Sequence, residues 1–260
     1  MEYFDTHAHY DDGHFNIDRD DIIKSLPEYS VTKCINIGCD IETSKQSICF
    51  TKKYPFMYAA VGIHPSDIAN SCEEVEKEIN EIRKLASENE KVVAIGEIGL
   101  DYHWNTENKK LQQFAFIKQI ELANQLELPI SIHTRDAIDD TINVIKNKVK
   151  IKNSGVLHCC PFNRELVKHG LEQGLYVAFG GTCTFKNSKN ADEIINMVPI
   201  DKILIETDSP YLSPEPLRGK RNDSRNLKYV VQKIADVRNM SEEEIAKITY
   251  GNAEKLFKLK

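Results

Sequence analysis

The chain has 260 residues, 41% apolar and 28% charged, enough to bury one large core and close to the length of about 250 residues common among α/β barrels. Its 34 basic and 40 acidic residues leave a formal charge of −6, which argues against coating nucleic acid through a broad basic surface but not against a local phosphate site charged by bound metal. No stretch approaches the roughly 18 uninterrupted apolar residues of a membrane span, and the opening MEYFDTHAHYDD lacks a basic segment followed by an apolar run, so no membrane contact or secretory signal is expected and the cytoplasm is the expected compartment.

The seven cysteines, Cys34, Cys39, Cys49, Cys72, Cys159, Cys160 and Cys183, form no CxxC pair, which excludes zinc-finger and thioredoxin-like readings. Free thiols in a reducing compartment are the simplest account. Cys34 and Cys39 lie in or beside an apolar run and read as small core residues.

No repeat, linker or low-complexity segment interrupts the chain. In order, short β-branched runs at residues 3–9, 33–39, 57–64, 92–101, 129–135, 155–159, 176–181 and 202–208 alternate with longer segments of helical period. Runs such as VVAIGEIGL and KILIETD are too continuously apolar for strands with one wet face and suit parallel strands covered on both sides. Helices are predicted over 73–87, 137–149, 164–173, 191–197 and 227–238, the acidic run from Glu73 to Glu81 being a solvated face. In LQQFAFIKQIELANQLEL an apolar stripe runs through Leu111, Phe114, Ile117, Ile120, Leu122 and Leu126, with a helix start at Thr106-Glu107-Asn108. A last helix follows Ser241, with Glu244 completing a capping box. Eight strands alternating with helices fit an open doubly wound sheet or a closed barrel. Strand number and length favour a (β/α)₈ TIM barrel, one domain over residues 1–260.

The polar residues point the same way. The runs end in His7 and His9, His64, Glu97 and Asp101, His133 and Arg135, His158, and Glu206 and Asp208. A barrel gathers its C-terminal strand ends at one mouth, where such enzymes place their active sites. Alternation puts Asp5, His7 and His9 on one face, Ser131, His133 and Arg135 on another, and pairs Glu206 with Asp208. Imidazole and carboxylate ligands suit zinc, manganese, iron or related ions, and a carboxylate can bridge two of them. Each residue also has a plain reading: a buried histidine with ordinary partners, or a turn role for Asp208 before Ser209-Pro210. Glu97 within an apolar strand resists that reading, because an unpaired buried carboxylate is costly. His14 and His169 read as surface residues, His103 as peripheral to the mouth, and Cys159 and Cys160 as one loop and one core thiol.

The ordered motifs FDTHAH (4–9), GIHP (62–65), GEIGLDY (96–102), IHTRDA (132–137), HC (158–159), GGTCTFKN (180–187), ETDSPYL (206–212) and RGKRN (218–222) resemble the TatD-type metal-dependent deoxyribonucleases of the amidohydrolase-like barrels, across essentially the whole chain. The resemblance implies that His7, His9, Glu97 and Asp208 hold one ion, with Glu97 bridging to a second held by His133 and His158. It implies hydrolysis of DNA phosphodiesters, often 3′→5′ on single strands, with magnesium, manganese or zinc. It also implies that His64, Asp101, Arg135 and Glu206 line the substrate pocket. Two mouth loops depart from the family pattern, at Cys159-Cys160-Pro161-Phe162-Asn163 and at Asp223-Ser224, which bears on substrate preference rather than on the metal ligands.

The expected mechanism is in-line attack by a water activated between two ions, with Asp208 and Glu97 as the catalytic carboxylates and Asp208 accepting the proton. Arg135 offsets charge growing on the phosphoryl oxygens. Lys186, Arg218, Lys220 and Arg221 add positive charge near the mouth, and Tyr102, Trp104, Phe185 or Tyr211 are candidates to stack on a base. A monomer is the favoured state, with single-stranded DNA or 3′ ends as substrate. Two alternatives remain: an amidohydrolase or lactonase acting on a small cyclic substrate, and a non-catalytic barrel that binds nucleic acid. The first commonly has a carboxylated lysine where this chain has Glu97, and the second predicts broken ligands or a basic surface.

Overall fold

In a computed structural model of the chain, which describes residues 1–103 and 106–259, eight parallel strands lie side by side in chain order: β1 Tyr3–Ala8, β2 Val31–Ile37, β3 Met57–Val61, β4 Val92–Asp101, β5 Ile130–Arg135, β6 Gly155–Leu157, β7 Tyr176–Phe179 and β8 Ile203–Ile205. The described α-helices are α1 Arg19–Ser25, α2 Ile41–Lys53, α3 Cys72–Ser87, α4 Lys109–Leu126, α5 Ile138–Asn143, α6 Arg164–Glu172, α7 Ala191–Met197, α8 Leu227–Arg238 and α9 Glu242–Leu256. None of them is long and apolar enough to cross a membrane. The architecture is a (β/α)₈ TIM barrel. Its seam joins β1 to the end of β8 through a bridge between Ala8 and Ser209. His9 N–H donates to Ser209 O (2.8 Å) and Asp208 N–H to His7 O (2.9 Å). Side chains complete the closure. The backbone N–H and the hydroxyl of Thr207 both donate to the Asp5 carboxylate, at 3.1 and 2.6 Å, and the Thr6 hydroxyl donates to Ile205 O at 2.9 Å.

Phe4, Ile35, Ile37, Ala60, Val93, Val156, Ala178 and Leu204 pack in one buried cluster with Leu256 and Phe257, so α9 covers this end of the barrel. The rings of Phe4 and Phe257 are 6.0 Å apart. Between the sheet and the helices, two larger apolar layers complete the core.

The structure departs from simple alternation where it matters for the site. In β1 the register shifts between Asp5 and Ala8, a bulge that turns side chains by one step. Asp5 therefore does not share a face with His7 and His9. It pairs with Cys34, on the side where Cys34 packs with Ile22, Ile23 and Leu227. Most strands also end one to three residues before the apolar runs do, leaving His9, His64, His158, Glu206 and Asp208 in the first loop positions. Positive φ at Cys159 (43°) and Asp208 (57°) shows the backbone already turning there.

Two helices differ from expectation. α4 begins at Lys109 with Asn108 as its N-cap, not at Thr106. Its fully buried face carries Gln112, Ala115, Phe116, Gln119, Ile120 and Ala123 rather than the expected stripe alone. The two glutamines are buried because strand ends need partners: Gln119 bonds both N–H and C=O of Ile63, and Gln112 both of Asp101. The helix expected over 137–149 is α5 followed by a π turn, Val144–Lys148. After Ser241 the capping box with Glu244 is present.

Candidate metal centre

At the mouth, four ligand atoms converge. His7 Nε2 and His9 Nε2 are 3.0 Å apart. Glu97 Oε2 lies 3.4 and 3.6 Å from them, and Asp208 Oδ1 lies 3.7 and 3.5 Å away. The donor atoms of His7, His9 and Asp208 all lie within 4.8 Å of one another, close enough to meet on one divalent cation, and Glu97 forms such groups with His7 and His158 and with His9 and Cys39. The other oxygen of Glu97 faces a second group: Oε1 is 2.8 Å from His133 Nδ1 and 3.1 Å from His158 Nε2. One carboxylate thus touches both groups, as a two-ion site requires.

Local backbone features aim these side chains. In β4 the register skips between Ile95 and Ile98, setting Gly96 and Glu97 against Ser131 alone. That bulge lets Ile95 and Ile98 both join the outer core while Glu97 turns inward. Gly99 follows at φ 144°, where an added Cβ would sit 2.0 Å from His133 O. No other residue permits that approach, which brings both Glu97 and Asp101 onto the His133 ring. Asp208 sits at φ 57°, held by Asp208 N–H to His7 O and by Tyr211 N–H to Asp208 O.

The electrostatics favour a cation. Burial opposes ionisation of Glu97, but the surrounding imidazoles, led by His158, His64 and His7, hold its pKa well below the usual carboxylate range. Burial likewise opposes ionisation of Asp208, and its bond to His9 with the charges of His158 and His7 outweighs it. Burial would depress His158, yet Glu206 and Glu97 raise it well above its ordinary value. His9 is raised against burial by Cys39, Asp208 and Glu97. His64 differs: burial pushes it down to about 4. Ser66 N–H donates to His64 Nδ1 at 3.1 Å, so the neutral ring carries its proton on Nε2, the atom 3.8 Å from Glu97 Oε1. His64 presents a donor rather than a lone pair.

A family model described as TatD related DNase matches residues 4–258. The chain belongs to that family. Among its relatives, the Bacillus subtilis protein named uncharacterized metal-dependent hydrolase YabD is 40% identical over 98% of this chain and 99% of its own length. The Erwinia tasmaniensis protein named 3'-5' ssDNA/RNA exonuclease TatD is 31% identical over 98% of this chain and all of its own length. A solved structure, the TatD homologue YJJV of Escherichia coli K12, superposes with a TM-score of 0.89 at 25% identity, covering 99% of this chain and 98% of that one. The protein is a metal-dependent hydrolase of the TatD family.

Two of the residues that the TatD resemblance sets in the substrate pocket, Asp101 and Glu206, lie against histidines. Asp101 is buried and faces His133 Nε2 at 3.1 Å, its pKa lowered to about 2 because the bonds from His133 and the His103 N–H overcome burial. Glu206 is fully buried, its Oε1 3.2 Å from His158 Nδ1 and accepting the Cys159 N–H at 2.6 Å. Both carboxylates lie against histidine nitrogens. Cys39, expected as core, places Sγ 3.8 Å from His9 Nδ1 and 3.9 Å from Glu97 Oε2. A signal for it existed, since Cys39 ends the second apolar run as the site residues end theirs.

Around the mouth, Arg135 is exposed at the end of β5. Arg218 is exposed, stacks on Phe185 at 3.9 Å and donates to Asn187. Lys220 is exposed, and so is Lys186, which borders a cavity of about 430 Å³ between the β7 loop and α7. Arg221 is committed elsewhere: it grips Asp18 through two bonds of 2.6 and 2.8 Å and donates to His14 O. Of the stacking candidates, Tyr211 is 47% exposed, with its hydroxyl on Asp12. Tyr102 is buried and bonded to Asp140, so it offers no open face. Trp104 lies outside the described residues. His103 pairs with Asp136, His14 with Asp12 and His169 with Glu172. Cys160 is buried and Cys159 half-buried.

Proposed function

We propose that this TatD-family hydrolase is a divalent-cation-dependent phosphodiesterase that removes nucleotides from the 3′ ends of single-stranded DNA. The observation that carries the reading is Glu97, whose two oxygens each face a separate histidine group. The name of the Erwinia tasmaniensis relative, 3'-5' ssDNA/RNA exonuclease TatD, supports the substrate and direction. In this reading His7, His9, Glu97 and Asp208 hold one ion and Glu97, His133 and His158 the other, with magnesium, manganese or zinc as candidates. When bound, such ions polarise phosphoryl oxygens and let water act as a nucleophile near neutral pH.

The chain's own groups do the rest. Asp208, whose Oδ1 lies 3.7 and 3.5 Å from His7 and His9, takes the proton from the attacking water. His64 donates from Nε2 to a non-bridging phosphoryl oxygen, and its low pKa keeps it a neutral donor throughout the working range. Arg135 offsets charge at the same oxygens. Lys186, Arg218 and Lys220 draw the polyanion to the mouth, while Arg221, paired with Asp18, buttresses the loop.

The test uses chelator-treated protein and 3′- or 5′-labelled single-stranded DNA, with Mg²⁺, Mn²⁺ or Zn²⁺ then restored. Stepwise shortening from the 3′ end, dependent on cation and lost in Asp208→Asn, is expected. DNA left intact under every cation, or turnover confined to cyclic amides or lactones, would overturn the reading.

A further inference from the structure

We propose that Asp101 and Glu206 are positioning residues that decide whether the second cation site, between His133 and His158, fills. This deepens the two-ion reading above and rests on it. The four histidines differ in what holds the nitrogen facing away from the cluster. His9 turns Nδ1 to the Ile37 carbonyl at 3.0 Å, and His7 Nδ1 lies 3.5 Å from the Ser131 hydroxyl. Those partners are neutral. His133 and His158 instead set their far nitrogens against buried carboxylates, Asp101 Oδ2 at 3.1 Å and Glu206 Oε1 at 3.2 Å. A carboxylate in that place fixes the tautomer, orients the ring and makes the ligating nitrogen a better donor to a cation.

The charge balance gives a reason for the difference. The first group has two carboxylates in direct reach, Glu97 Oε2 and Asp208 Oδ1. In the second, Glu97 Oε1 is the carboxylate oxygen, among the described residues, that faces His133 Nδ1 and His158 Nε2. Negative charge to balance a second divalent ion therefore stands one shell back, at Asp101 and Glu206, and acts through the rings. Glu206 carries a further sign of this. Its Oε2 is buried with no hydrogen-bond partner among the described residues. A carboxylate present only to brace the fold would have both oxygens satisfied, and the Cys159 N–H that it accepts would be served as well by a neutral amide.

The experiment counts ions. Wild type, Glu206→Ala, Glu206→Gln and Asp101→Asn are stripped, titrated with Mn²⁺, and read by bound-metal content and by the electron spin resonance signal of a coupled manganese pair. Wild type is expected to bind two ions and to show the pair signal. Glu206→Ala should keep one ion at wild-type affinity and bind the second about 10- to 100-fold more weakly, without the pair signal at matched concentration. Glu206→Gln, which can still accept from His158 and Cys159, should fall between the two. Asp101→Asn should weaken the same site, and supplies the test if Glu206→Ala does not fold. Two ions at unchanged affinity in the folded variants, or equal weakening of both sites, would overturn the inference. Fewer than two ions in wild type would overturn the two-ion reading itself, and this inference with it.

Discussion

Asp5 offers a measurement that isolates one buried charge at the barrel seam. Its carboxylate is fully buried, accepts from Thr207 twice and from the His7 N–H, and has its pKa pushed by burial from 3.8 to about 7. The folded state therefore holds a proton that the unfolded chain releases. The contribution to stability is fully present below about pH 4 and is lost as pH rises towards 7, after which both states are ionised. At roughly 1.4 kcal/mol per pH unit between the two values, the loss is about 4 kcal/mol. Asp5→Asn removes the titration and costs about 1 kcal/mol in hydrogen bonding. The variant should be about as stable as wild type at pH 4.5 and about 3 kcal/mol more stable at pH 8, a gain of roughly 6–10 °C in Tm for a chain of this size. Thermal unfolding of chelator-treated protein, followed by circular dichroism from pH 4.5 to 8, reads the difference directly, because other groups cancel between the two proteins. A difference that does not vary with pH would refute the reasoning.

Three further outcomes follow from the same geometry. His9, His133 and His158 are raised above their ordinary pKa, each by nearby carboxylates acting against burial and His9 by Cys39 as well, so protons compete with cations. Cation affinity should fall as pH is lowered from 8 to 6, and calorimetric titration showing equal affinity at both would count against the ligand set. Gly99→Ala drives a Cβ to 2.0 Å from His133 O at φ 144° and should lower stability by about 2–4 kcal/mol, seen as a shifted denaturation midpoint with unchanged slope. Gln119→Leu strips partners from both Ile63 N–H and C=O, at about 1–3 kcal/mol for each group. A loss under 0.5 kcal/mol would mean that water replaces the glutamine.

How much of this was legible in the sequence depended on which residues break an apolar pattern. Glu97, His133 and His158 sit within or just after apolar runs, where an ionisable group needs a reason, and that contrast marks the mouth before any coordinates. The eight strands were readable because residues buried on both sides leave continuous apolar runs. The bulges at Asp5 to Ala8 and at Gly96-Glu97 were not, because a bulge depends on what the neighbouring strand does. Simple alternation therefore groups Asp5 with His7 and His9, and the bulge separates them. The histidine partners of Asp101 and Glu206 were not readable, since a strand end says that a carboxylate points into the barrel and not which ring nitrogen it meets. Gln112 and Gln119 look like solvated helix positions until the frayed backbone they bond is in view.

These particulars share one physical cause. Glu97, Asp101, Glu206 and Asp208 lie 2.8–3.8 Å from nitrogens of His7, His9, His64, His133 and His158 at one end of a barrel otherwise packed with apolar side chains. Such a cluster is held in the folded state only if its charges settle among themselves or on cations. Without cations the nearby carboxylates favour protonation of His9, His133 and His158, while burial disfavours it at His7 and His64, and protons and cations then compete for the same three rings. With cations the protons leave and the carboxylates are balanced directly, so binding adds to stability by mass action, about 2.7 kcal/mol per site at a hundredfold excess over Kd. The residues that look most expensive to bury are therefore the ones through which a cation can stabilise the whole barrel, and Asp101 and Glu206 extend that coupling one layer beyond the atoms that would touch the ion.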